Sequence, residues 1–224
     1  LLLEQARSLA GYPGAENVNV IGFDDGPFAR EHRGRILLVG AVCSGTRLDG
    51  IVSGHVQRDG TDATRQMIDL IRTSQFRTHI RAVMLQGIAV GGFNVVDVHE
   101  LSAVLGVPVL VVIRHQPDLE SMREALFTDV PRKRPRVRGA ARKWRLIENA
   151  GPAELLVPSR RPRRALPTGV RSEARLWVQR VGLSVEDARA LVAATTLHGH
   201  LPEPIRVAHL IAGGISTGRS RGRA

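Results

Sequence analysis

Cysteine is nearly missing from this chain. Cys43 stands alone in 224 residues, so neither an intramolecular disulfide nor a cysteine-built zinc site can form. Aromatic residues make up only 4%, which argues against a surface that stacks successive single-stranded bases. Lysine is scarce too: Lys133 and Lys143 are the only two among 32 cationic side chains. No apolar stretch is long enough to cross a bilayer, and Leu1-Leu2-Leu3-Glu4 does not make a signal peptide. The expectation is a soluble, cytoplasmic protein.

What is abundant is arginine. The net charge is +11 and the sequence pI is near 11.4. Guanidinium groups bind phosphate in bidentate fashion, so a nucleic-acid partner is favoured. An arginine-heavy genome would give the same bias without that function. A hydrophobic share of 43% rules out wholesale disorder, and the length suits one domain with a substantial core.

Three strands are expected at 18–24, 35–42 and 50–56, joined closely enough to form an antiparallel meander. Asp62 reads as the N-cap of a helix over 63–72 that buries Met67, Leu70 and Ile71. Near-continuous apolar runs at 80–85 and 107–113 read as buried parallel strands, with a helix at 95–105 between them and another at 119–127 after them. Three antiparallel strands followed by helix-strand-helix-strand is the order of the RNase H-like α/β fold, a mixed sheet flanked by helices, although other α/β folds contain the same elements. Residues 129–165 form a Pro/Arg-rich insertion in which Arg132, Lys133, Arg134 and the run 160–164 flank a short helix at 144–149. Its basic runs are expected to be exposed and mobile, either neutralising phosphates or serving as solvated loops. A strand at 174–181 follows, then a helix opened by the capping box Ser184-Val185-Glu186-Asp187, a last helix at 204–212, and a basic tail at 216–224. The whole chain reads as a single domain.

Amid this positive charge, Asp24 and Asp25 end the apolar run Val18-Asn19-Val20-Ile21-Gly22-Phe23 and precede Gly26-Pro27. A central strand that presents carboxylates at its end suits an enzyme holding a divalent metal while gripping a polyanion. The pair equally suits a turn or a helix cap. The glycines Gly87, Gly91 and Gly92 either let the backbone approach an extruded nucleotide or meet the needs of a positive-φ loop. Asp49, in Leu48-Asp49-Gly50, is expected in a hairpin turn, and His99 and Glu100 on a helix surface.

Four segments carry a resemblance. They are Gly22-Phe23-Asp24-Asp25-Gly26-Pro27-Phe28, Asp59-Gly60-Thr61-Asp62-Ala63-Thr64, the run from Leu85-Gln86-Gly87 through Gly91-Gly92-Phe93-Asn94 to Asp97, and Leu201-Pro202-Glu203-Pro204-Ile205-Arg206-Val207-Ala208-His209. In order and spacing they resemble the endonuclease dU family over nearly the whole chain. That family is similar to endonuclease V, an RNase H-like, metal-dependent nuclease of deaminated nucleic acid.

The resemblance implies that Asp24 binds metal and that Asp62, or else Asp59, matches the acid ahead of the next helix. His209 stands where endonuclease V has a terminal acid, and Gln86 stands where an acid ends the fourth strand. An amide oxygen brings no charge, so metal affinity should fall unless Asp25 or Asp97 compensates. The implied metal set is Asp24, Asp25 and Asp62 with magnesium or manganese, and the implied catalytic group adds Gln86 and His209. Arg206 either holds phosphate or ties to a core carboxylate, and Asn94 either reaches the site or caps a helix. No equivalent of the Tyr-Ile-Pro wedge of endonuclease V is found. The implied activity is cleavage of DNA at deoxyuridine or a similar deaminated base, in repair. The alternatives are a catalytically weakened nucleic-acid-binding protein on the same fold and an enzyme acting on RNA.

Overall fold

Between its two ends, every residue of strand β1 (Asn19–Asp25) is buried, which requires cover on both faces of the sheet. The computed structural model describes residues 18–128, 137–157, 175–197 and 199–220. In it β1 lies at the middle of a seven-stranded sheet with the order β3-β2-β1-β4-β7-β9-β8. Strands β2 (Arg35–Ser44) and β3 (Arg47–Gln57) continue the antiparallel meander from β1. Strands β4 (Ala82–Gln86) and β7 (Val109–Ile113) run parallel to β1, as their unbroken apolar runs foretell. Strands β8 (Glu154–Leu156) and β9 (Leu176–Val181) close the far edge antiparallel. A small hairpin, β5 (Ala89–Val90) and β6 (Asn94–Val95), stands apart from the sheet. The meander followed by two parallel strands is the RNase H-like arrangement.

Strand alternation divides the core into two layers. Ile21, Phe23, Val83, Leu85 and Val111 face helices α1 (Ala63–Thr73), α2 (Val98–Leu105), α3 (Leu119–Phe127) and α4 (Ala140–Asn149). Val20, Met84, Leu110, Val112 and Val178 face α5 (Val185–Thr195) and the start of α6 (Glu203–Thr217). Phe23 is fully buried, and a side chain of that size contributes about 2–3 kcal/mol through its burial. Among the described residues no helix is long and apolar enough to cross a membrane.

Several local expectations are corrected. The β2–β3 reversal falls at Gly45, which takes the left-handed φ of 59°, so Leu48-Asp49-Gly50 lies within β3 and Asp49 pairs with Arg47 at 2.8 Å. Helix α4 begins at Ala140, because Ala140, Lys143 and Ile147 fall on one buried stripe. Residues 137–157 of the basic insertion are therefore packed, while its arginine runs, with Arg132, Lys133 and Arg134, lie outside the described residues. Strand β8 and the β5–β6 hairpin are too short to leave a periodic signal. Helix α6 runs on through Gly213 and Gly214 and ends at Gly218, in the left-handed region at φ 74°.

Candidate functional site

Alternation along β1 turns Gly22 and Asp24 toward α6. Gly22 sets how near that helix comes. A Cβ there would lie 2.6 Å from the Ile205 nitrogen and 2.7 Å from Pro204 Cβ, and against the Pro204 carbonyl carbon. Farther along, Ala208 and Ala212 of α6 rest on Val39 and Ala41 of β2, again small on small. Ile205 and His209 are four apart, hence one above the other on the helix. With Ile205 anchored in the core, His209 is carried over the end of β1. Its Nδ1 donates to Asp24 Oδ2 at 2.7 Å, with the His209 side chain 41% exposed and that of Asp24 9%. The hydrogen bond to Asp24 raises the His209 pKa, while burial and the charge of Arg114 work against it.

The parallel register Phe23↔Leu85 puts Gln86 beside Asp24 at the strand ends. The next pairing, Gln86↔Val112, places Arg114 two residues past Val112, just beyond the end of β7, where its charge acts on His209. Gln86 Oε1 and Arg114 Nε are both buried, and neither finds a hydrogen-bond partner among the described residues. Asp24, Gln86, His209 and Arg114 thus gather at the carboxyl ends of β1, β4 and β7, the edge where open α/β sheets bind ligands. Arg114 is absent from the sequence reading. Its signal was its place, directly after the second buried parallel strand, as Gln86 closes the first.

Asp25 projects the other way. Burial and the neighbouring Asp24 charge push its carboxyl up to about 6, against the opposing pull of the Gly91 backbone amide and of His209. Beyond it, Asp62 holds the N-cap position of α1 but makes no cap hydrogen bond with its side chain. It accepts the Gln57 N–H at 3.1 Å and the Asn94 Nδ2 at 2.6 Å instead. The cap is supplied by Asn94, whose Oδ1 accepts the Ala63 N–H at 3.0 Å, so Asn94 caps α1 rather than the helix that follows it. Asp59 accepts the Phe93 N–H at 2.8 Å, and Asp97 caps α2 through the Glu100 N–H. These acids hold together the loop before α1 and the glycine hairpin.

Gly91 and Gly92 both have positive φ, 55° and 84°, and a Cβ on Gly92 would collide with the Asp59 carboxylate. Arg206 binds Glu203, which is 3% exposed, through three contacts of 2.6–3.0 Å, the tie to a core carboxylate rather than a free phosphate clamp. His99 Nε2 donates to the Asn149 carbonyl at 2.9 Å on the surface.

Among the described residues no group of three or more His, Cys, Asp or Glu side chains is placed to hold a metal. The donor set at the strand ends is one carboxylate, one amide oxygen and one imidazole. The unpartnered Gln86 Oε1 beside Asp24 fits a hard divalent cation that completes its shell with water and phosphate, as magnesium commonly does.

A family model described as endonuclease dU matches residues 16–216. A UPF0215 protein of Deinococcus radiodurans is 46% identical over 205 residues, covering 92% of each chain. One from Methanothermobacter thermautotrophicus is 38% identical over 208 residues, again covering 92% of each. Among solved structures, a protein of unknown function from Archaeoglobus fulgidus superposes with a TM-score of 0.71 at 29% identity, covering 88% of this chain and 97% of that one. Ciona intestinalis endonuclease V, solved with a 24mer DNA containing an inosine, gives a TM-score of 0.53 at 16% identity over 90% of this chain and 87% of that one. The last likeness is one of fold.

Proposed function

The chain belongs to the endonuclease dU family, and from that premise we propose that it is a metal-dependent endonuclease cutting DNA at deoxyuridine or a similar deaminated base, in repair. Family and fold both point to a nuclease. The observation that carries the reading is the Asp24–His209 pair at the carboxyl end of β1, next to the unpartnered Gln86 oxygen.

Asp24, Gln86 Oε1 and His209 are the groups that would hold magnesium or manganese. When bound, such an ion supplies an activated water and neutralises charge on the phosphate. The chain's own groups do the rest. Arg114 binds a phosphate oxygen and offsets negative charge as the phosphorus centre becomes crowded. Asp24 orients the His209 ring through Nδ1, which leaves Nε2 as the nitrogen that would meet the ion. Asp25 and Asp62 support the site from the opposite face by fixing the glycine hairpin and the start of α1.

The test is cleavage of labelled duplexes carrying one uracil, one hypoxanthine or no lesion, in magnesium, manganese or EDTA. Metal-dependent nicking beside uracil that disappears in Asp24→Ala is expected. Full activity in that variant overturns the assignment.

A second reading, a nucleic-acid-binding protein whose catalysis has weakened, is favoured by the single carboxylate among the strand-end donors. A large gain of cleavage in Gln86→Asp supports it, and a loss supports a working site built around Gln86.

A further inference from the structure

A pocket of about 130 Å³ opens where the first turns of α1, α2 and α4 meet, lined by Thr61, Val95, Asp97, Glu100, Lys143 and Leu146 among others. A cavity near 150 Å³ accepts one benzene ring, so this space matches a single six-membered heterocycle and is too small for a larger ligand. Lys143 is only 1% exposed, in a chain that uses arginine for all but two of its cations. Its Nζ donates to the Asp59 carbonyl, and it forms no ion pair with a described residue. An ammonium has three donors and no acceptor, so this one bond leaves it donors to spare. The same lining carries acceptors at the start of α2, Asp97, one oxygen of which takes the Glu100 N–H, and the exposed Glu100, together with the cations Arg65 and Arg142.

We propose that this pocket receives an extruded uracil-type base and that Lys143 selects it over the parent base; the proposal rests on the nuclease reading above. Deaminating cytosine replaces a donor amino group with a carbonyl acceptor and turns the adjacent ring nitrogen from acceptor into N–H donor. A buried ammonium beside carboxylates complements that acceptor–donor edge and opposes the donor–acceptor edge of cytosine. Rejection is strong in such sites, because the wrong base leaves buried polar groups unpaired. Thymine shows the same edge with an added methyl, so its exclusion falls to the fit against Val95 and Leu146. A short chain of contacts links the pocket to the strand-end acids. Lys143 holds the Asp59 carbonyl, the Asp59 carboxylate holds the Phe93 N–H, and the Gly91 amide acts on Asp25 next to Asp24. Extrusion of the nucleotide would thus place base and backbone on the two sides of the glycine hairpin.

The experiment measures binding of labelled DNA with a single uracil or with cytosine at the same position, in EDTA, so that recognition is read apart from cleavage. The parent is expected to prefer uracil by roughly tenfold or more. In Lys143→Met, and in Thr61→Trp at the exposed mouth of the pocket, the ratio should fall toward one, with folding checked by circular dichroism. If both folded variants keep the parent's ratio, or the parent nicks uracil sites without preferring them in binding, the pocket is overturned and the nuclease stands. A parent that neither prefers nor nicks uracil overturns both.

Discussion

His209 Nδ1 and Asp24 Oδ2 meet at 2.7 Å although 185 positions of sequence separate them. The contact joins the first strand of the sheet to the last helix. The protonated imidazole is favoured in the folded chain, because its hydrogen bond to Asp24 raises its pKa. The stability this pair contributes is full below the unfolded histidine pKa, about 6.5, and is lost as pH rises through the folded value. In metal-free buffer, Asp24→Asn should lower the His209 pKa measured by NMR titration. An unchanged pKa would show that the pair does not exist in solution.

Asp25 also titrates above its ordinary range, at about 6 against 3.8, and the sign is the same. The folded state holds this proton more tightly than the unfolded one, so stability falls between roughly pH 4 and pH 6. Asp25→Asn should therefore stabilise the chain at pH 8 in EDTA by about 1–3 kcal/mol, with the difference closing near pH 4. Urea unfolding at the two pH values decides it, and a variant less stable than the parent at pH 8 refutes the burial argument.

Gly22→Ala puts a methyl group against backbone and ring atoms of Pro204 and Ile205. Backbone cannot rotate aside, so a loss at or above the usual 1–3 kcal/mol of overpacking is expected. Thermal unfolding measures this, and metal-dependent nicking should weaken as α6 is displaced from Asp24.

Asn94 is fully buried and joins three partners, Ala63, Gln57 and Asp62. Asn94→Ala should lose about 2–4 kcal/mol, since a helix cap is lost and buried groups are left unpaired. Asn94→Asp keeps the shape but sets a carboxylate against Asp62, so its loss should be larger at pH 8 than at pH 5. Equal losses at both pH values would argue against the contact with Asp62.

The sheet was legible because its two strand types write different patterns. The parallel strands β4 and β7 are continuous apolar runs, and helix α3 starts and stops at the residues its pattern marks. Asp24 was legible as an acid ending a buried strand. The use of Asn94 was not, because its side chain serves a helix that starts 31 residues earlier, and no local spacing records that contact. Arg114 was hidden for a similar reason. One arginine among many acquires meaning only when the register of β4 and β7 sets it beside Gln86. Lys143 carried no signal of its own within the basic insertion, and only the packing of α4 buries it.

The missing side chain at Gly22 also fixes how the site relaxes. At Gly22 no side chain separates β1 from the start of α6, so the two backbones meet directly there and the helix has little room to shift. Adjustment there then falls to side chains, of which that of His209 is 41% exposed. Rotamer flips of exposed side chains take picoseconds to nanoseconds, whereas helix shifts and hinge closures take microseconds to milliseconds. At Gly22 this end of the molecule is therefore a stiff frame with quick fittings.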